Sequence, residues 1–348
     1  MTKTIGILGG GQLGRMTAQA AAKLGYQTHI FTPERNGSAE QAANHTTHAD
    51  YHDLAALKKF SSAVDVVTYE FENIPVAAVE TIVAIKPVYP NARALSVCQN
   101  RVREKSLCRE LMIATAPWCE VHDMASAARA MCELGGSMIL KTAEMGYDGK
   151  GQAKIINSAE LEKSLGQMRG QLIAEGIVKF DFEISVIAAR GMDGEVKCYP
   201  PVRNEHKNHI LWQTHAPAEI SETLTMRAMQ YATQLIEQLN VVGLLAVEMF
   251  VVGDEILVNE MAPRPHNSGH WTIEGCQTSQ FEQLVRAITG MKLGDVEPRG
   301  KFVMTNLIGD DFKDGAKKAA AENGTFHDYG KIEIRPGRKM GHITRQVG

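Results

Sequence analysis

Gly243-Leu244-Leu245-Ala246-Val247-Glu248-Met249-Phe250-Val251-Val252, then Gly253-Asp254-Glu255-Ile256-Leu257-Val258-Asn259-Glu260-Met261, is the stretch on which the fold reading turns. Two apolar, β-branched runs flank turn-forming residues, so it reads as an antiparallel hairpin, with strands expected over 242–252 and 255–261. An acid at position 248 among apolar neighbours is costly to bury without a partner. If Gly253-Asp254-Glu255 is a three-residue turn, position 248 faces position 260. Directly opposed β carbons lie about 4.5–5.5 Å apart. Two carboxylates at that separation suit a divalent cation bridging nucleotide phosphates. A two-residue turn sends Glu260 to the other face unless a bulge restores it. The plainer alternative is a pair of solvent-facing acids on an edge hairpin.

Upstream, a strand expected over 137–141 ends at Lys141 and leads into Glu144-Met145-Gly146-Tyr147-Asp148-Gly149-Lys150-Gly151-Gln152. Another strand is expected over 153–156. The GxxxxGK[ST] spacing is absent, but three glycines between strands can fold over a triphosphate and offer backbone N–H groups. Lys141 would direct a cation at the same phosphates; a hairpin with a solvated lysine is the alternative. Nearer the amino terminus, the run Thr4 to Leu8 leads into Gly9-Gly10-Gly11-Gln12-Leu13-Gly14 and a helix expected over 16–24. With strands expected over 28–31 and 64–69, this is a βαβ pattern and a parallel sheet. The glycine hexamer satisfies the dinucleotide fingerprint, and Glu34 sits where a ribose-binding acid is expected. The same turn also serves other phosphorylated ligands, or none. A charged helix over 100–112, strands over 182–189 and 195–199, and a long helix over 222–239 complete a largely antiparallel second half.

Beyond the hairpin, Pro263-Arg264-Pro265-His266-Asn267-Ser268 reads as an anion-binding turn. Tyr329-Gly330-Lys331 and Arg335-Pro336-Gly337-Arg338-Lys339-Met340-Gly341-His342 form a local cationic cluster, in which Lys339 reads as a solvated charge that aids solubility. The chain of 348 residues carries 37 Lys and Arg against 40 Asp and Glu, a net charge of −3, so it has no global basic field for a nucleic-acid backbone, although a local cluster of cations can still bind phosphate. With 44% hydrophobic and 22% charged residues it is an ordinary globular composition. The most apolar run, 241–252, is cut by Glu248 and falls far short of the ~20 residues a membrane helix needs. No signal peptide opens the sequence, and the six cysteines form no CxxC pair, so a cytoplasmic protein with reduced thiols is expected. No Cys/His spacing suggests zinc.

Taken together, GGGQLGRM, KTAEMGYDGKGQ, LLAVEMF, ILVNEMAPRPHNSGHWTIEGC, YGK and RPGRKMGH resemble the ATP-grasp superfamily, and within it the N5-carboxyaminoimidazole ribonucleotide synthetases. The resemblance covers essentially the whole chain. It implies an α/β and α+β architecture in three parts: a pre-ATP-grasp domain at 1–98, a small ATP lid at 99–172 and a large antiparallel domain at 173–348. By the family pattern Arg101, Lys141, Glu175, Ile177, Val178, Glu183, His206, Asn259 and Glu260 surround ATP. The loop Gly146, Tyr147, Asp148, Gly149, Lys150, Gly151 and Gln152 closes over its phosphates. Many relatives carry arginine where this chain has Lys150, which loses the planar bidentate fork. Glu248 and Glu260 would hold Mg²⁺, or Mn²⁺ in its place. Gln12, Leu13, Glu70, Tyr147, Arg264, His266, Asn267, Lys331 and Arg338 would surround the ribonucleotide, with Asp148, Lys331, Arg338 and Arg264 in catalysis.

The implied reaction is ATP-dependent carboxylation of 5-aminoimidazole ribonucleotide with bicarbonate through carboxyphosphate, in purine biosynthesis. A homodimer is also implied. Three other readings stand beside it. A formate-dependent glycinamide ribonucleotide transformylase would share ATP and a ribonucleotide. An NAD-dependent oxidoreductase would use only Gly9 to Gly14, and a regulatory protein would bind ATP without turnover.

Overall fold

The computed structural model describes residues 3–144 and 151–348. The first layer is a parallel sheet of β1 (Thr4–Leu8), β2 (Gln27–Thr32), β3 (His45–His48) and β4 (Val66–Tyr69), in the order β3-β2-β1-β4. Ile5, Ile7, Leu8 and Val67 are buried, as expected for strands covered on both faces. The short strand β3, His-Thr-Thr-His, is missed by sequence reading because it has no apolar signal; it is placed by pairing with β2.

The first helix runs Gln12–Lys23, four residues earlier than its periodicity suggests. Gly11 supplies the extended cap residue but no side chain. The Glu70 carboxylate, arriving from the end of β4, accepts from the N–H groups of Gly11 and Gly14 instead. Those amides are orphans at any helix start. A tertiary contact therefore fixes a boundary that local sequence leaves open.

The second layer is an antiparallel sheet of β5 (Trp118–Val121), β6 (Met138–Thr142), β7 (Gln152–Ile155) and β8 (Leu172–Gly176), ordered β5-β8-β6-β7. Helices Met124–Glu133 and Ser158–Gln167 accompany it, each opened by an Asp or Asn cap that accepts a backbone N–H. The third is a nine-stranded antiparallel sheet. It comprises β9 (Phe182–Arg190), β10 (Val196–Cys198), β11 (Val202–Lys207), β12 (Ile210–Ala216), β13 (Gly243–Val252), β14 (Glu255–Ala262), β15 (Lys301–Ile308), β16 (Thr325–Asp328) and β17 (Lys339–Val347). Its order is β14-β13-β9-β11-β12-β15-β17-β16, with β10 beside β9.

Two cores position these layers. Leu224, Ala228, Ala232 and Leu235 of the helix Glu222–Gln238 pack on one face of β9 and β13. On the other face, Phe281, Leu284 and Ile288 of the helix Gln280–Thr289 meet Ala18 and Ala21 of the first helix. Alanine on that contact lets the two helices approach, so the parallel sheet is held against the large one by apolar burial.

The decisive hairpin closes through a two-residue turn, Gly253-Asp254, with Val252 opposite Glu255 and Gly253 at a φ of +56°. Of the two turns the sequence left open, the shorter one forms: a glycine first in a two-residue loop matches the twist of the flanking strands. Met249 faces Val258, but Glu248 faces Glu260. Asn259 is therefore the extra residue of a bulge, and this bulge restores the facing pair that the shorter turn would have broken.

Candidate active site

A cleft of about 1290 Å³ opens where the three sheets meet. Gln12, Leu13 and Glu70 line it from the parallel sheet. Lys141 and Gln152 line it from the second layer, and Arg101 from the start of the helix Arg101–Glu110. Glu183, His206, Glu248, Asn259, Glu260, Arg264, His266 and Asn267 line it from the third. Gly146, Tyr147, Asp148, Gly149 and Lys150 lie outside the described residues. The Gly151 carbonyl accepts from Thr142 N–H at 2.8 Å.

At the nucleotide end, Lys141 on β6 donates to Glu175 on β8 at 2.9 Å, and Lys105 Nζ lies 3.7 Å from the same oxygen. Glu175 is buried, and although burial acts to raise its pKa, Lys105 and Lys141 hold it below the ordinary value. Burial lowers Lys141 despite that partner. Val178 follows β8, and Ile177 beside it is exposed. Phe180 stacks on Phe250 of β13, centroids 4.5 Å apart, giving the cleft an aromatic wall that sequence reading missed. Two aromatics distant in sequence carry no local sign that they will stack.

At the carboxylate pair, Arg101 Nη1 donates to Glu260 Oε2 at 3.2 Å. His266 Nε2 donates to Glu248 Oε1 at 2.8 Å, while His266 Nδ1 accepts from Ser268 N–H at 3.3 Å, which fixes the tautomer. A hydrogen-bonded chain continues through the Ser268, Ser185 and Asn204 side chains to Thr214. His266 holds Glu248 low against its burial, whereas burial and the facing Glu248 push Glu260 up. Burial, with Glu248 and Glu260 adding, pushes Glu183 up to about 7; His206 Nδ1 lies 3.2 Å from it. Three carboxylates crowded in this way form an oxygen-rich donor set with a surplus of negative charge, which fits a hard divalent cation.

At the far end, Arg264 pairs with Glu72, which overhangs the carboxyl edge of β4. Arg264 holds Glu72 low against its burial. Asn267 exchanges side-chain hydrogen bonds with Asn306. Burial pushes Glu70 up, opposed by the amides of Gly14 and Gly11. Glu70 thus takes the Gly11 and Gly14 amides that a dinucleotide phosphate would use, and Glu34 is exposed. Lys331 donates to the Lys339 carbonyl at 2.6 Å and is brought down to about 8 by burial, with Arg338 adding. Arg338 donates to the Glu333 carbonyl at 3.1 Å. Lys339, read from sequence as a solvated surface charge, lines the cleft.

A cleft lysine, a facing acid pair and a nucleotide-sized cleft between two antiparallel sheets define an ATP-grasp ligase. Residues 106–281 match the ATP-grasp domain, 1–99 the ribonucleotide synthetase preATP-grasp domain, and 303–346 the phosphoribosylaminoimidazole carboxylase C-terminal domain. The N5-carboxyaminoimidazole ribonucleotide synthase of Brucella melitensis is 44% identical over 98% of this chain and 96% of its own. A bifunctional purine synthesis protein of Dictyostelium discoideum is 44% identical over 99% of this chain, which spans only 37% of that longer protein. The crystal structure of the Aspergillus clavatus N5-carboxyaminoimidazole synthase in complex with ADP and 5-aminoimidazole ribonucleotide superposes with a TM-score of 0.92. It shares 31% identity over 99% of this chain and 94% of its own. The chain belongs to the N5-carboxyaminoimidazole ribonucleotide synthase family. The oxidoreductase reading of the first glycine loop is thereby overturned. Among the described residues, no helix is long and apolar enough to cross a membrane.

Proposed function

We propose that this chain carboxylates 5-aminoimidazole ribonucleotide with bicarbonate and ATP, giving N5-carboxyaminoimidazole ribonucleotide, ADP and phosphate in purine biosynthesis. The observation that supports it most is the single cleft joining Lys141 and the Glu248–Glu260 pair to Arg264, Glu70 and Lys339. One end has the chemistry for a triphosphate and the other for a ribonucleotide phosphate. A bicarbonate oxygen attacks the γ-phosphorus and the bond to the ADP oxygen breaks, leaving carboxyphosphate. The exocyclic amine of the ribonucleotide then takes the carboxyl group, directly or as released CO₂, and phosphate leaves.

Lys141 and Arg101 offset phosphate charge as it shifts toward ADP. Glu248 and Glu260, with Asn259 alongside, would hold Mg²⁺, or Mn²⁺, which supplies further charge neutralisation when bound. Glu175, Ile177, Val178, Glu183 and His206 would seat the adenosine. Gln12, Leu13, Glu70, His266, Asn267, Lys331 and Arg338, with Arg264, would seat the ribonucleotide and carboxyl group. Asp148 would take the amine proton, oriented by Lys331, and the 146–152 segment would exclude water from the labile intermediate. Domains bounded at 98 and 172, a homodimer and a cytoplasmic location complete the reading.

ADP release in a coupled assay with ATP, Mg²⁺ and bicarbonate tests it. Strong stimulation by 5-aminoimidazole ribonucleotide, lost in Glu260→Gln, is expected. ADP release indifferent to the ribonucleotide would remove the substrate assignment. Asp148→Asn is expected to abolish synthesis while still binding nucleotide.

A further inference from the structure

The bulge at Asn259 lies on β14, an edge strand whose outer side has no neighbouring strand in the sheet order. An edge presents backbone groups that need partners when buried. At Val258 the partner is the backbone: its N–H donates to the Ala114 carbonyl at 2.8 Å. Over the next three residues the partners are side chains, all from the helix Arg101–Glu110. Lys105 Nζ donates to the Asn259 carbonyl at 3.4 Å. Arg101 Nη1 donates to Glu260 Oε2 at 3.2 Å. Glu104 Oε1 accepts from the Met261 N–H at 2.8 Å.

Positions 101, 104 and 105 share one helix face, and the three contacts fall on consecutive residues of the bulged strand. Lys105 and Glu104 are only 2% and 4% exposed. Burial pushes Glu104 up to about 8, and Lys105 also faces Glu175 at 3.7 Å; sinking both polar groups against a strand edge is costly unless the geometry they fix matters. A bulge leaves the extra residue outside the ladder, so its conformation depends on what contacts it from outside.

We propose that Glu104 and Lys105 are positioning residues for the divalent-cation site: they clamp the bulge at Asn259 so that Glu260 faces Glu248. This rests on the reading of Glu248 and Glu260 as cation ligands, and the experiment separates the two. Neither residue touches the cation or the phosphates in this role. Each acts through the strand that carries Glu260.

The test is Mn²⁺ binding in the presence of ADP, followed by electron paramagnetic resonance, with ADP binding in EDTA and the melting midpoint measured alongside. In Glu104→Met, Mn²⁺ affinity is expected to fall about 10-fold or more, the range for residues that orient metal ligands. ADP affinity in EDTA is expected to stay within about 2-fold. Glu104→Gln keeps an acceptor for Met261 N–H and is expected to restore Mn²⁺ affinity to within about 3-fold of the parent. If the parent binds Mn²⁺ and Glu104→Met binds it equally well, the clamp is wrong while the cation site stands. If the parent itself binds no Mn²⁺ with ADP, both readings fall. Parallel loss of Mn²⁺ and ADP binding in EDTA would reduce Glu104 to a general structural role and overturn the proposal. Should Glu104→Met not fold, Lys105→Met carries the same comparison, and parent-like Mn²⁺ affinity there overturns it.

Discussion

Replacing Glu175 with glutamine tests the ionic centre beneath the nucleotide end of the cleft. Its Oε2 lies 2.9 Å from Lys141 Nζ and 3.7 Å from Lys105 Nζ, and the residue is 3% exposed. Glutamine keeps the volume and removes the charge, leaving Lys105, itself 2% exposed, as a buried ammonium without its carboxylate. Breaking a buried pair from one side costs about 3–5 kcal/mol, mostly through the stranded partner. At roughly 2–4 °C per kcal/mol for a cooperative unit of this size, the melting midpoint is expected to fall by about 6–20 °C at pH 7. The effect also has a definite pH signature. The folded-state pKa of Glu175 is lowered by Lys105 and Lys141, so its stabilisation is present above the unfolded value near 4.3 and is lost as pH falls through the folded value. The difference between parent and Glu175→Gln should therefore be full at pH 7 and narrow on acidification below about pH 4. Thermal melts by circular dichroism between pH 3 and 8 measure it. A variant as stable as the parent at pH 7, or a difference independent of pH, would refute the argument.

Phe250→Ala removes half of the stacked aromatic wall; a KM for ATP raised about 3- to 10-fold with a smaller change in kcat is expected, from the roughly 0.5–1.5 kcal/mol such pairs contribute. Unchanged steady-state kinetics would remove that wall from nucleotide binding. Because burial and the neighbouring acids hold Glu183 near 7, a cation arriving beside it should release a proton. Calorimetric titration of Mn²⁺ at pH 6.5 in buffers of different ionisation enthalpy should then show buffer-dependent heats, and identical heats would contradict the coupling. Gly341→Ala would drive a Cβ against the His327 carbonyl between β16 and β17, so a loss of about 2 kcal/mol or more is expected in chemical denaturation. An unaltered denaturation midpoint would show that this strand pair yields easily.

The sequence by itself determined the elements whose periodicity is strong. The strands around 182–190 and 243–262, the helix at 222–238 and the first βαβ unit follow from apolar spacing and from glycine and proline punctuation. It also determined the donor chemistry, because acids at 248 and 260 and a lysine at 141 stand out where apolar residues would be expected. Tertiary structure decided the remainder. The turn at 253–254 is one residue shorter than the site requires, and only the Asn259 bulge restores the match of Glu248 to Glu260. The start of the first helix was settled by Glu70, 56 residues from Gly14, whose carboxylate takes amides that a dinucleotide reading would leave to a ligand. The stacking of Phe180 on Phe250, the pairing of Arg264 with Glu72 and the clamp from Glu104 and Lys105 all join residues distant in the chain. Periodicity reports which face of an element is apolar, a local property. Which buried polar group satisfies which other is settled only when the elements pack, because an unpaired one costs more than any local preference supplies.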